Sequence, residues 1–341
     1  MTTVPQPEIQ PEIRTDTSRP QVPTALNTLL TAAGTDLIND IGWLRVTGED
    51  RVRWLNGMVT NSTQDLKPGH GNYNFFLNAQ GRIQGDANIF AEPDAYLLES
   101  HAPQIPNLTT FLERFIIMDD VELADISSAL SGLLVAGPKA PAILVQLDLP
   151  AADLAPLQIK TLSWRGEDTT LIHAHSPLVP RFELWANPST INALTNALHE
   201  AGAIPIDAAA LEQLRILEGT PRYGADIRDK ELPQETNQSR ALHFNKGCYL
   251  GQEIVERIHS RGNVHRTFSA FRLQGSLPAA GTLLEADGKQ VGELTSVSAI
   301  GATQLALGYI RREALDRSLQ ITYPGGAAIP TATPFNLAAG N

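Results

Sequence analysis

From Arg266 onward the chain is a series of short apolar runs broken by glycines. Phe268, Phe271, Leu273, Leu283, Val291, Leu294, Val297, Leu305, Leu307 and Ile310 supply the runs. Gly275, Gly281, Gly288, Gly292, Gly301 and Gly308 supply the breaks. Runs this short do not sustain helices, and glycine suits the backbone of tight turns, so the pattern predicts a small β-barrel. A domain boundary follows at Thr267. The reading divides the chain into a Pro-rich tail over 1–23, an α+β domain of two subdomains over 24–266 and a C-terminal barrel over 267–341.

The stretch before Arg266 is organised differently. Leu26, Leu29 and Leu30 mark a helical face that Gly34 stops, and Ile41 to Val46 reads as a strand. A helix capped by Gly48 runs from Glu49 to Val59. Residues 72–91 read as a hairpin turning at Asn78 to Gly81, with helices following over 107–118 and 142–147. Strands cover Leu133 to Ala136 and Phe182 to Trp185, and residues 148–170 carry weak signals and include loop. Helices close the series over 189–200 and 207–218. Irregular alternation of this kind indicates α+β rather than a repeating parallel array.

Charge and leader composition exclude several classes. The 341 residues hold 26 Lys plus Arg against 37 Asp plus Glu, a net charge of -11, so the overall field repels phosphate. Nucleic acid and anionic membrane are therefore not expected partners, and no apolar run reaches membrane-spanning length. The tail carries Pro5, Pro7, Pro11, Pro20 and Pro23 among Glu8, Glu12 and Asp16. It has neither a secretory apolar core nor a mitochondrial Arg-rich pattern, so disorder and a cytoplasmic location are expected. Cys248 is the single cysteine, which excludes an intrachain disulfide and a metal site built from cysteines; no metal site is expected.

Four local patterns carry chemistry. In Lys246-Gly-Cys248-Tyr249-Leu-Gly-Gln252-Glu253, Cys248 falls at or just before a helix N-terminus, two residues from Lys246. Dipole and ammonium both favour thiolate, so its pKa is expected below the reference of about 8.5; a buried apolar cysteine is the other reading. Glu218 closes a helix at its unfavourable pole, and Asp226 and Glu235 follow in a glycine-containing loop. Such carboxylates suit paired donors of an amino-heterocycle, or else salt bridges to Arg215 or Arg222. Asp86 sits in an otherwise apolar or small return strand, placed for proton transfer or simply solvated. From Arg257 to Leu284 there is no acid, while Arg257, Arg261, Arg266 and Arg272 occur there; the strip suits a polyanionic tail or ion pairs to acids elsewhere. His173 and His175 share a strand face without a third ligand and read as surface or core.

The signature Lys246 to Glu253 resembles that of YgfZ-type folate-binding proteins, of the YgfZ/GcvT family. The resemblance extends over Arg215 to Glu235, Phe244 to Gly262, the hairpin residues Asn78, Gly81 and Arg82, and the segments Val291 to Ser298 and Ala306 to Tyr309, spanning about 25–325. It implies two interleaved α+β subdomains and a C-terminal β-barrel around a channel for tetrahydrofolate, in polyglutamylated form where the arginine strip takes the tail. It implies Cys248 and Lys246 as the reactive pair, with Asp86 as a weaker catalytic carry-over. The folate contacts it implies are Glu218 on the pterin, with Asp226, Glu235, Tyr249, Gln252, Arg257, Arg261 and Arg266. It further implies a monomer that supports iron–sulfur proteins or their assembly factors, including a tRNA-modifying radical enzyme. The alternative is a folate-dependent one-carbon transferase like the glycine-cleavage T-protein, whose acidic pair on the return strand is here Gly85-Asp86.

Overall fold

The computed structural model describes residues 22–262 and 264–337. All but the last two residues of the expected Pro-rich tail lie outside the described residues. The chain builds two sheets and a barrel. The six-stranded sheet runs Ile204–Pro205, Gly34–Ile38, Ser131–Ala136, Arg181–Ala186, Glu167–Ala174, Ile159–Trp164. The five-stranded sheet runs Gly71–Leu77, Ile83–Ala91, Tyr96–His101, Ile41–Thr47, Glu122–Asp125. The chain thus places one strand in the first sheet, leaves to complete the second, and returns at Ser131. That excursion is the interleaving expected of the α+β unit.

Each sheet uses both faces. Trp43, Phe90 and Leu97 of the smaller sheet pack on Ile159, Ile172 and Trp185 of the larger. The rings of Trp43 and Phe90 each meet Trp185 edge-on at 5.6 Å, an arrangement that satisfies the aromatic quadrupoles. Helices Ala140–Gln146 and Pro188–Glu200 cover the outer face of the larger sheet. Helices Arg51–Asn56 and Ile105–Glu113 cover that of the smaller. Helix Ala208–Glu218 packs between the larger sheet and Phe268, Leu305, Leu307 and Tyr309 of the barrel. The barrel closes in the order Arg266–Gly275, Thr303–Arg311, Lys289–Ile300, Leu283–Ala286, Thr322–Tyr323, Gly326–Thr331.

Several sequence expectations change. The first helix, Thr24–Thr31, ends before Gly34, which instead opens a strand. A Cβ at Gly34 would lie 2.9 Å from Ile206, so the glycine answers a packing constraint. The helix expected over 49–59 is only Arg51–Asn56, and Gly48 is no cap: its φ is +102°, and a Cβ there would meet the Asp120 carbonyl at 2.0 Å. The helix expected to reach residue 118 stops at Glu113, leaving Ile117 and Met118 exposed. Residues 148–170 include the expected loop and also strands that the weak signals did not mark. Ile159–Trp164 pairs antiparallel with Glu167–Ala174 across Arg165-Gly166, both at positive φ, which is the backbone of a tight two-residue hairpin.

Candidate functional site

The hairpin Gly71–Leu77 and Ile83–Ala91 brings Asp86 to the interior. Its carboxylate accepts from the Tyr73 hydroxyl at 2.5 Å and from Gln104 Nε2 at 3.1 Å. The Asp86 amide donates in turn to Gln104 Oε1 at 3.3 Å. Burial raises the Asp86 carboxyl above the usual range, against the pull of Tyr73, Gln104, Arg240 and His101. The Arg240 guanidinium lies 4.2 Å above the Tyr73 ring.

Glu218 is the last residue of helix Ala208–Glu218, and Gly219 follows at φ +73°. A Cβ at Gly219 would strike Thr333 at 2.4 Å, so only glycine lets the chain turn here against the barrel's end. Glu218 is buried and accepts from the Ser176 hydroxyl and, at 3.3 Å, from the Leu178 amide. Burial raises its carboxyl, opposed by these bonds and by Arg181. Neither Arg215 nor Arg222 pairs with it; both turn to Glu212, and Arg215 also to Asp226. His175, the residue before Ser176, is pushed down to about 4 by burial and by the charges of Arg240 and Arg181, which makes it a neutral imidazole at physiological pH. Arg240, His175 and Arg181 thus join the Asp86 end of the interior to the Glu218 end.

Asp226, Glu235 and Arg266 are engaged within the protein. Asp226 is fully buried and accepts from Arg215 at 2.6 Å, the Arg222 amide at 3.0 Å, Ser296 Oγ at 2.8 Å and the Thr295 hydroxyl. Glu235 accepts both Arg266 Nε at 3.1 Å and Nη2 at 3.0 Å, plus the Leu232 amide at 3.0 Å. These bonds staple the loop 220–236 to the barrel. Arg257 and Arg261 stand exposed on helix Gln252–Arg261, and Arg272 donates to the Asn336 carbonyl. The acid-free run of sequence therefore divides between a solvated helix and internal ion pairs, rather than forming one cationic strip.

The cysteine segment is positioned by two close approaches. A Cβ at Gly251 would lie 2.5 Å from the Asn78 carbonyl, and one at Gly81 would lie 2.7 Å from Ile254 Cβ. The hairpin tip and the start of helix Gln252–Arg261 fit only without those side chains. Gly251, at φ +82°, is the helix cap, so Cys248 lies three residues ahead of it, exposed and free. Gln252 Oε1 accepts from the Tyr249 amide at 3.2 Å, and the Tyr249 side chain is buried. Lys246 turns inward. Its ammonium donates to the carbonyls of Asn56 and Val59 at 2.7 Å and of Asn61 at 2.6 Å, 5.1 Å from the Tyr249 ring. Burial pushes Lys246 down to about 7, while three acceptors match the three protons of the charged form and oppose that shift. The expected pairing of Lys246 charge with the Cys248 thiol is replaced by this carbonyl cage.

Sequence reasoning passed over Arg240, Arg181, Glu99 and Glu183 and set His175 aside. The available signal was a charged residue inside an apolar strand, as in Tyr96-Leu-Leu-Glu99 and Arg181-Phe-Glu183-Leu-Trp. His173, by contrast, stacks on Phe182 at 4.6 Å and binds the Leu154 carbonyl, as a core histidine would. Among the described residues no helix is long and apolar enough to cross a membrane.

Two interleaved sheets closed by a barrel, with polar groups from both sheets meeting inside, define a GcvT-type fold. The glycine cleavage system aminomethyltransferase T of Bartonella henselae has it too. The two superpose with a TM-score of 0.83 at 19% identity, over 92% of this chain and 89% of that one. The GCVT N-terminal domain matches residues 26–246 and the CAF17 C-terminal beta-barrel domain matches residues 266–338. The chain belongs to the YgfZ/CAF17 branch of the GcvT-like folate-binding family. A chloroplastic Arabidopsis thaliana protein named as a transferase, At1g60990, is 28% identical over 81% of this chain. The chain spans 65% of that relative's length. An aminomethyltransferase of Nostoc sp. is 28% identical over 82% of this chain and 75% of its own length.

Proposed function

We propose that the protein binds tetrahydrofolate in the polar interior between its sheets and, so loaded, supports the assembly or repair of iron–sulfur enzymes through the exposed thiol of Cys248. Client iron–sulfur proteins or their assembly factors are the partners in this reading, a tRNA-modifying radical enzyme among them. The observation that carries the folate part is that Asp86 and Glu218 lie within electrostatic reach of one set of groups: Arg240 acts on Asp86, Arg181 acts on Glu218, and both act on the neutral His175. A carboxylate suits the amino and ring N–H donors of a pterin, and a raised carboxyl suits proton exchange with its nitrogens. Cys248 stands at the surface, where a partner protein can reach it.

The second reading is a folate-dependent one-carbon transferase, favoured by the interior placement of Asp86 and by relatives named aminomethyltransferases. Against it stands Gly85. A Cβ there would lie 3.2 Å from Gln104 Oε1, the side chain that orients Asp86, so a side chain at 85 makes Gln104 give by a few tenths of an ångström. The deciding experiment pairs two measurements: tetrahydrofolate titration of the purified protein, and iron–sulfur enzyme activities in a deletion strain given wild type or Cys248→Ala. Binding with loss of those activities in the variant strain supports the first reading. Turnover of a one-carbon donor at enzyme-like rates supports the second.

A further inference from the structure

The interior arginines of this protein have carboxylate partners, with one exception among the described residues. Arg181 holds Glu183 at 3.0 Å, Arg215 holds Glu212 and Asp226 at 2.6 Å, Arg228 holds Glu293 at 2.8 Å and Arg266 holds Glu235 at 3.0 Å. Arg240 makes no ion pair among the described residues. Its Nε donates to Gln238 Oε1 at 3.0 Å and its plane covers Tyr73 at 4.2 Å. Its Nη1 is closed off from solvent and has no acceptor. A desolvated cationic donor left this way is costly in an isolated fold. Here the cost falls between Asp86, which holds the far end of Tyr73 through the hydroxyl at 2.5 Å, and His175.

We infer that Arg240 is a ligand-binding residue whose free Nη1 awaits an acceptor oxygen of the ligand, a carbonyl or carboxylate lying against Tyr73 and Asp86. The inference rests on the folate reading of the interior, and folate offers both kinds of oxygen, on its ring and on its glutamyl end. The groups facing the guanidinium are Tyr73 and Asp86 from the hairpin, Gln238 from its own loop and the neutral His175 from the larger sheet. None of them supplies a full counter-charge in contact. An oxygen bound there gains a charge-assisted bond in a site shielded from water, and the arginine loses its penalty at the same moment.

The test titrates wild type, Arg240→Gln and Arg240→Lys with tetrahydrofolate and with 6-methyltetrahydropterin, which keeps the ring carbonyl and lacks the glutamyl carboxylates. Thermal unfolding of each ligand-free protein is recorded alongside. Arg240→Gln is expected to weaken binding about tenfold or more, with Lys recovering part of it. Its ligand-free melting temperature is expected to be unchanged or raised, because an uncompensated buried charge has gone. A loss for both ligands assigns the oxygen to the ring, and a loss for folate alone assigns it to the tail. Equal affinities of wild type and Arg240→Gln overturn the inference and leave the folate reading standing, whether or not stability falls. If wild type binds neither compound, the folate reading fails and the inference goes with it.

Discussion

Glu99, on a strand of the smaller sheet, and Glu183, on a strand of the larger, are buried neighbours in the interior, and the Glu183 charge acts on the Glu99 carboxyl. Asn88 Nδ2 donates to Glu99 at 3.0 Å, while Arg181 and Trp185 Nε1 donate to Glu183 at 3.0 and 3.2 Å. Glu183 thus has two side-chain donors, and Glu99 is the carboxyl whose ionisation the site disfavours. Burial and the adjacent Glu183 charge hold the Glu99 carboxyl well above its ordinary 4.5.

A pH dependence of stability follows from that pair. A carboxyl with a raised folded pKa binds more protons folded than unfolded. Its favourable contribution is complete below the ordinary value and is lost as pH rises toward the folded one. Glu99→Gln keeps the shape and a donor for Glu183 but has no proton to lose. Urea unfolding between pH 5 and 9 is expected to show a flatter profile for the variant, which at the alkaline end exceeds wild type by on the order of 1 kcal/mol. Parallel profiles for the two proteins would show that the pair carries no titration.

Asp226 gives a contrasting prediction. It is a satisfied anion, ringed by Arg215, Ser296, Thr295 and the Arg222 amide, and it ties the loop after helix Ala208–Glu218 to the barrel. Asp226→Ala leaves Arg215 buried with only Glu212 as counter-ion. Breaking a buried pair from one side costs about 3 to 5 kcal/mol. Chemical denaturation measures this directly; a change below 1 kcal/mol, with folate affinity lost instead, would return Asp226 to the ligand site.

What was legible from sequence and what was not have physical reasons. Glycine punctuation after Arg266 specifies a barrel because the glycines meet backbone there: Cβ atoms at Gly292 and Gly308 would lie 2.3 and 2.2 Å from carbonyls across the sheet. Asp86 and Glu218 were legible because each is a charge at a position where local structure provides no partner. Asp226, Glu235 and Arg266 look the same in sequence, and only the fold shows them bonded to one another's segments across the chain. Arg240 was illegible because a lone arginine in a loop is ordinary; its meaning comes from Tyr73 beneath it, 167 positions earlier. The strand pair 159–174 was missed because Lys160, Thr161 and Ser163 face outward on an edge, which dilutes the apolar signal.

The glycine beside Asp86 can be tested by restoring the absent acid. Gly85→Asp places a carboxylate against Gln104 and Leu108 and next to a carboxyl that burial has already raised. Successive strand positions face opposite sides of the sheet, so the new carboxylate enters the layer of Phe76, Leu108 and Gln104, and burying it there is expected to lower stability by about 2 to 4 kcal/mol. The glycine-cleavage half-reaction is expected to stay far below enzyme rates in both wild type and variant, because Gln104 no longer orients Asp86 once displaced. A variant that folds normally and gains aminomethyl transfer would show that one missing acid was the whole difference, and would promote the transferase reading.

Lys246 and Cys248 are two positions apart in sequence and separate in role. The Lys246 ammonium is committed to the carbonyls of Asn56, Val59 and Asn61, which places its charge on the loop after helix Arg51–Asn56. Cys248 stands exposed on the other side of Gly247. Lys246→Met keeps an apolar stem over Tyr249 and removes three charge-assisted bonds, leaving the carbonyls without their donor. The expected loss is about 2 to 4 kcal/mol in urea unfolding, less than the sum of three separate bonds because the freed loop relaxes toward water. Iodoacetamide is expected to label Cys248 in native wild type, since the thiol is at the surface, and to label the folded variant at a similar rate. Both rates are read by intact mass under conditions where the variant remains folded. A variant with unaltered stability and a sharply slower alkylation would show that Lys246 acts on the thiol after all. Labelling of wild type only after denaturation would remove Cys248 from any exchange with a partner.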